Sequence, residues 1–414
     1  MIESKDLTNK MPLSKAQWLC VIALVVIALN LRPALAAIGP LLQSIQLDLG
    51  LNYAMASLLT TLPVLAMGLF SFVGFQLAKP LGLERSIAAA LSLLAAATAA
   101  RFWAPSGGFL ITTALLAGIA IALIQTLMPA IIKQRFGLRA PLVMGFYVTA
   151  IMGGAALAAT SAPMLASTLS WRDSLGHWVW LALFATLLCL LWVRPQRVTQ
   201  PNHAQPTLAT QRFWRSSRAW QLAVFFALGT SCYVSVLAWL APYAQELGYS
   251  AKQAGLLLGF LTLCEVVAGI AFPWWASRRH DKRPVIAVLC ALQLIGFSAL
   301  ALIPETGLLL WVAMVGLGIG GIFPLSMIIT MDHIDNPLQA GRLTAFVQGI
   351  GYLIAAVAPF AAGYMRDALE SFTAAWLALA ATSIVALILA ARFSVQSYRQ
   401  HFPAPSVEAT TRTH

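Results

Sequence analysis

Twelve apolar stretches follow one another along the chain, at about 17-41, 54-77, 86-104, 109-132, 141-166, 177-193, 219-242, 253-276, 285-303, 307-330, 342-364 and 373-391. A helix needs roughly 20 apolar residues to cross the hydrocarbon core of a bilayer. The series therefore predicts an all-α membrane protein of twelve transmembrane helices. These take up about 240 of the 414 residues and leave no room for a separate globular domain. Only 10% of the residues are charged, against about a quarter in soluble domains, which excludes a soluble enzyme. The first stretch outruns a signal-peptide core, and no small-residue cleavage site precedes the next polar segment. It is expected to remain as a span.

A net charge of +12 would suggest a nucleic-acid partner in a soluble protein. Here the placement of the charges is what informs, and no nucleic-acid partner is expected. Among the 26 lysines and arginines, Arg101, Arg172, Lys252 and Arg366 lie in one alternating set of inter-span segments, and Arg32 lies inside the first span. All the others lie in the opposite set or the tails, so both termini are predicted to be cytoplasmic. The tails, 1-14 and 398-414, are polar without apolar periodicity and are expected to be disordered.

The longest polar stretch between spans, 194-218, holds Pro195, Pro201, Pro206 and five arginines. It divides the chain into a six-helix half (1-193), a cytoplasmic linker (194-218) and a second six-helix half with a short tail (219-414). The halves share a repeat. Asp48-Leu49-Gly50 and Ala56-Ser57-Leu58-Leu59 align without gaps with Glu246-Leu247-Gly248 and Ala254-Gly255-Leu256-Leu257, and Pro40-Leu41-Leu42-Gln43 aligns with Pro242-Tyr243-Ala244-Gln245. Two pseudo-symmetric six-helix bundles in parallel topology are the plan of secondary transporters with a midplane substrate site. No Gly-x4-Gly-Lys-Ser/Thr loop points to ATP. Cys20, Cys189, Cys232, Cys264 and Cys290 lie in apolar stretches without paired spacing, and the six histidines lie at span ends, loops or tails. No cofactor, metal site or catalytic residue is expected.

The architecture resembles the major facilitator superfamily over nearly the whole chain. Gly74, Lys79, Gly82 and Arg85 keep a degenerate form of its loop signature after helix two, with Ala78 where an acid would stand. Leu29-Asn30-Leu31-Arg32-Pro33, Leu62-Pro63, Gln125 with Met128-Pro129 before Ile132-Lys133, Pro141-Leu142-Val143-Met144-Gly145 and Met152-Gly153-Gly154 look like the cyanate permease family, which also includes a nitroimidazole exporter. The resemblance implies a single-polypeptide carrier, working as a monomer, for a small anion or small polar compound.

Arg32 is the sharpest single residue. It lies about 15 residues, or ~22 Å, from the cytoplasmic end of its helix. A charge at that depth costs roughly 2.5 kcal/mol or more, and a guanidinium with five donors suits a small planar or linear anion. The competing reading locks it to a carboxylate or to helix carbonyls. Pro33 leaves the Leu29 carbonyl without its helical partner and predicts a kink. Asn30, about 200° around the helix from Arg32, either caps that carbonyl, bonds a neighbouring helix or touches substrate. Glu265, the one acid deep in a span, lies about 12 residues, or ~18 Å, from the cytoplasmic end, with Thr262 and Gly269 on its face and Met67 at the repeat-equivalent position. It reads either as the counter-ion of Arg32 or as a proton carrier.

In the resembled fold, Gln125, Tyr147, Tyr233 and Gln348, with Tyr352 one turn on, stand on cavity-lining helices. Each offers a hydrogen bond to substrate or to a neighbouring helix. Gln293 is read as structural. The glycines Gly145, Gly153, Gly154, Gly316, Gly318, Gly320, Gly321, Gly349 and Gly351 are read as close-packing positions, and Trp18, Trp178, Trp311 and Trp376 as interfacial belt residues. The sequence thus points to a secondary active transporter of a small monovalent anion. On the resemblance this is cyanate, taken up across the inner membrane with protons or an exchanged anion. The alternative is a proton-driven exporter of small neutral or aromatic compounds such as 2-nitroimidazole, with Met55, Met67, Met128, Met144 and Met152 lining an apolar cavity.

Overall fold

A computed structural model of the chain describes residues 15–192, 213–334 and 337–401. It is all-helical, and twelve spans are long and apolar enough to cross a bilayer: α1 (Gln17–Leu49), α2 (Tyr53–Ala78), α3 (Leu83–Trp103), α4 (Gly107–Phe136), α5 (Leu142–Ala166), α6 (Trp171–Leu191), α7 (Ser217–Glu246), α8 (Ala251–Ser277), α9 (Arg283–Leu302), α10 (Leu308–Asp332), α11 (Gln339–Leu369) and α12 (Thr373–Ala391). A short helix, α13 (Val395–His401), follows. The protein is a multi-pass membrane protein. Within the first six spans α4 packs on α2 and α3; within the last six α10 packs on α8 and α9, and α7 on α11. The two sets meet along α5 against α8 and α2 against α11.

Several spans run past their apolar stretches. The first continues to Leu49 rather than stopping near residue 41, because Ile38, Leu41, Leu42 and Ile45 form one buried face while Gln43, Ser44, Leu47 and Asp48 look outward. An amphipathic end of this kind reads as loop when hydropathy is averaged over a window. The tail beyond residue 397, expected to be disordered, begins as α13, pinned by Arg218, which donates to Ser397 Oγ and to the Arg392 carbonyl. Most of the expected linker, residues 194–212, lies outside the described residues, as do residues 1–14 and 402–414; its end forms a single turn at Phe213–Arg215, and Ser217 and Arg218 already belong to α7. Trp376 is no belt residue: it is 1% exposed and packs on Phe297, Phe372 and Tyr243.

The sequence repeat has a structural counterpart. Gly50 and Gly248 both adopt positive φ, 63° and 92°, the left-handed conformation that glycine takes without a Cβ penalty. Asn52 and Ser250, at the same offset, then cap α2 and α8 by accepting from the amides of Met55 and Gln253. The paired acids also match in use, Asp48 holding Arg172 at 2.5 Å and Glu246 holding Arg366 at 2.7 Å.

At the end of the bundle that carries those acids, polar contacts join the first six spans to the last six. Asp367 accepts from the main-chain amides of Tyr53 and Ala54 at 3.0 and 2.7 Å. Glu246 accepts from the Tyr53 hydroxyl at 2.8 Å, and the Gln245 amide donates to the Pro40 carbonyl at 3.1 Å.

The glycines divide by what stands opposite them. A Cβ on Gly154 would sit 2.2 Å from the Leu29 carbonyl oxygen, and one on Gly320 would sit 2.3 Å from the Glu265 carbonyl oxygen, whereas Gly145 faces open space and Gly153 meets its neighbour at an ordinary 3.7 Å. Gly154→Ala is therefore expected to cost about 1–3 kcal/mol, because the obstacle is backbone and cannot swing aside. Thermal unfolding in detergent should show a lowered Tm for Gly154→Ala and none for Gly145→Ala.

Candidate functional site

Helix α1 carries Arg32 on an interruption. Its first piece ends at Leu29, the amides of Asn30 and Leu31 bond back in tighter i→i−3 fashion, a short turn runs over Pro33–Ala36, and the helix resumes at Ile38–Leu49. The cause is Pro33, which has no N–H for the Leu29 carbonyl. Asn30 does not cap that carbonyl; its amide donates instead to Val26 O at 2.7 Å and to Leu181 O of α6 at 3.4 Å. The bare backbone of Gly154 in α5 packs directly over Leu29 O.

The guanidinium of Arg32 is 5% exposed, and among the described residues it has neither an ion pair nor a hydrogen bond. Its Nε is buried and unpartnered. The group lies over the Tyr233 ring of α7, with Cζ 5.2 Å from the centroid, in cation–π contact. The hydroxyls of Tyr233 and Tyr147 are also buried without a partner, as is Oε1 of Glu265. Glu265, Tyr147, Tyr233 and Tyr352 all lie within electrostatic range of the Arg32 charge. Five spans thus converge here, α1, α5, α7, α8 and α11.

Arg32 and Glu265 are no salt bridge, since no Arg32 nitrogen comes within 4 Å of the carboxylate. α10 takes up the room beside Glu265 at Gly269: Gly320 abuts the Glu265 main chain, and a Cβ on Gly269 would lie 3.5 Å from the Gly320 carbonyl oxygen, while Thr262 donates to Leu258 O within α8. Gln125 and Gln348 are half-buried with no hydrogen bond among the described residues. Gln293, read as structural, is 1% exposed and accepts from Ser383 Oγ at 3.3 Å. Met67 and Met128 are packed into separate apolar clusters and Met55 is 45% exposed, so these three share no common lining.

Sequence reasoning passed over Thr61, Thr230 and Ser235, whose buried hydroxyls also lack partners. Small hydroxyls in apolar helices are common, and nothing in their spacing sets them apart. Leaving a buried polar group unpaired costs about 1–3 kcal/mol, more for a charge. A permanent cation, two phenol hydroxyls and one carboxyl oxygen without partners make a buried polar cluster in which donors outnumber acceptors.

Comparison with known proteins agrees with this plan. The model of the family described as Major Facilitator Superfamily matches residues 21–359. The Cyanate transport protein CynX of Escherichia coli (strain K12) is 36% identical over 380 residues, spanning 92% of this chain and 98% of its own. The 2-nitroimidazole transporter of the same organism is 30% identical over 377 residues, 90% of this chain and 95% of its own. Among solved structures, a D-xylose-proton symporter superposes with a TM-score of 0.74 at 14% identity, covering 92% of this chain and 98% of that one. The nucleoside transporter NupG superposes at 0.71 with 13% identity, covering 95% and 100%. These two likenesses establish the fold alone.

Proposed function

The chain belongs to the major facilitator superfamily, and from that premise we propose that it is a secondary carrier of cyanate, bound at Arg32, rather than an enzyme. The observation that carries this is a buried guanidinium with no carboxylate partner, in cation–π contact with Tyr233, whose hydroxyl, like that of Tyr147, is buried without a partner. Cyanate is linear and monovalent, with acceptor atoms at both ends. A fork of guanidinium donors and phenol O–H groups matches such acceptors. Arg32, Tyr147 and Tyr233 form the anion seat, and Asn30 holds the shape of α1 instead of touching the guest.

In this reading both termini are cytoplasmic, and the halves 1-193 and 219-414, joined by 194-218, rock about the seat to take cyanate across the inner membrane. One charge moving through 100 mV is worth about 2.3 kcal/mol, so unaided entry into a negative interior is held down roughly forty-fold. Uptake therefore runs with a proton or against an exchanged anion, and Glu265 is the group that carries the proton. A neutral nitroaromatic would leave the Arg32 charge uncompensated, which places the exporter reading second despite the 30% identical relative.

The test is labelled-cyanate counterflow into proteoliposomes loaded with unlabelled cyanate at neutral pH. An overshoot is expected. Its absence in well-folded protein would remove cyanate and turn attention to nitroimidazole efflux and other small anions.

A further inference from the structure

Arg101, counted by sequence with the charges between spans at the end of the stretch 86-104, closes α3 inside the protein at 1% exposure. It has no carboxylate partner among the described residues. Its Nη1 donates to the Ala34 carbonyl at 2.9 Å, its Nε to Thr113 Oγ1 at 3.3 Å, and its Nη2 has no partner. Thr113 in turn donates its hydroxyl proton to Leu110 O at 2.7 Å, which leaves an oxygen lone pair facing the guanidinium.

Ala34 stands two residues after Arg32, in the interruption of α1, and only Pro33 separates them. Proline fixes its own φ, so a shift of the Ala34 peptide is passed to Arg32 with little slack. The same α3 turn holds the far end of α1 as well: Arg172 donates from Nε to Ala104 O at 2.8 Å and from Nη1 to Asp48 at 2.5 Å. The part of α1 beyond Arg32 is thus tied to residues 101–104 near its start, directly, and at its end, through Arg172. A buried lone cation is expensive, and here its reach is spent on one carbonyl of the broken helix.

We propose that Arg101 is a positioning residue that sets the Arg32 guanidinium by holding the Ala34 carbonyl, with Thr113 as its second anchor. The inference rests on Arg32 being the anion seat. It is tested in the full-length protein labelled with 15N-arginine in detergent, using Arg101→Gln and the milder Thr113→Val. Two signals are read: the Nε–H resonance of Arg32, assigned by its loss in Arg32→Gln, and the Kd for cyanate.

Both variants are expected to move the Arg32 resonance, and Arg101→Gln to raise Kd roughly tenfold, with a smaller rise in Thr113→Val. An Arg32 resonance unmoved in folded variants overturns the proposal, whatever the anion does. If wild type binds no cyanate while the resonance still moves, the positioning role stands and the substrate reading falls. Should Arg101→Gln fail to fold, Thr113→Val decides alone, because it keeps the cation and nearly the same volume.

Discussion

Arg32→Gln is expected to abolish cyanate counterflow, lowering it by at least a hundredfold, while leaving the protein as stable as wild type or more so. The two halves of that expectation come from one observation. A charge-assisted hydrogen bond is worth about 1.5–3 kcal/mol, so losing a fork of two costs roughly a hundredfold or more in affinity. Because no carboxylate and no carbonyl in the described residues depends on Arg32, its removal orphans nothing and relieves an unpaired buried charge. Paired measurements of counterflow and thermal unfolding decide the matter. A large fall in Tm with transport retained would show the arginine to be part of the scaffold. Arg32→Lys should recover only part of the activity, since a single ammonium cannot grip with a planar fork.

Glu265→Gln is expected to split transport in two, ending concentrative uptake while equal-concentration exchange survives. Exchange needs the anion seat alone, and the amide keeps the size of the side chain where Gly320 packs against the Glu265 main chain. In the proposed mechanism concentrative uptake runs on a group that takes up and releases a proton beside the anion, and the amide cannot. The same loss in both assays would point to a joint structural role with Arg32, a role for which the separation of the two groups provides no ion pair. The experiment is uptake against a gradient, compared with exchange, in one reconstituted preparation.

Hydropathy and charge placement made the twelve helices legible, and the repeat around Asp48 and Glu246 anticipated the matched glycine turns after α1 and α7. Depth along a helix brought out Arg32 and Glu265 as neighbours in height. What it could not supply was azimuth. Whether two groups at one depth meet depends on how several helices are rotated, and that follows from packing such as Gly320 on Glu265 and Gly154 on Leu29. Arg101 escaped for a related reason: an arginine at the end of an apolar stretch looks solvated until the partner that draws it inward, the carbonyl of a broken α1, is known. Amphipathic helix ends were lost to window averaging, as at Ile38–Leu49.

The joint between Asp367 and the first turn of α2 has an unequal division of labour. Its two donors are peptide amides, present whatever side chains stand at Tyr53 and Ala54, so that short of proline α2 can drift in sequence without loosening it. All the tunability resides in one carboxylate on the facing helix. Changing Asp367 on α11 is therefore the one side-chain substitution that loosens this joint, while the neighbouring contacts of Glu246 with Tyr53 and of Gln245 with Pro40 remain.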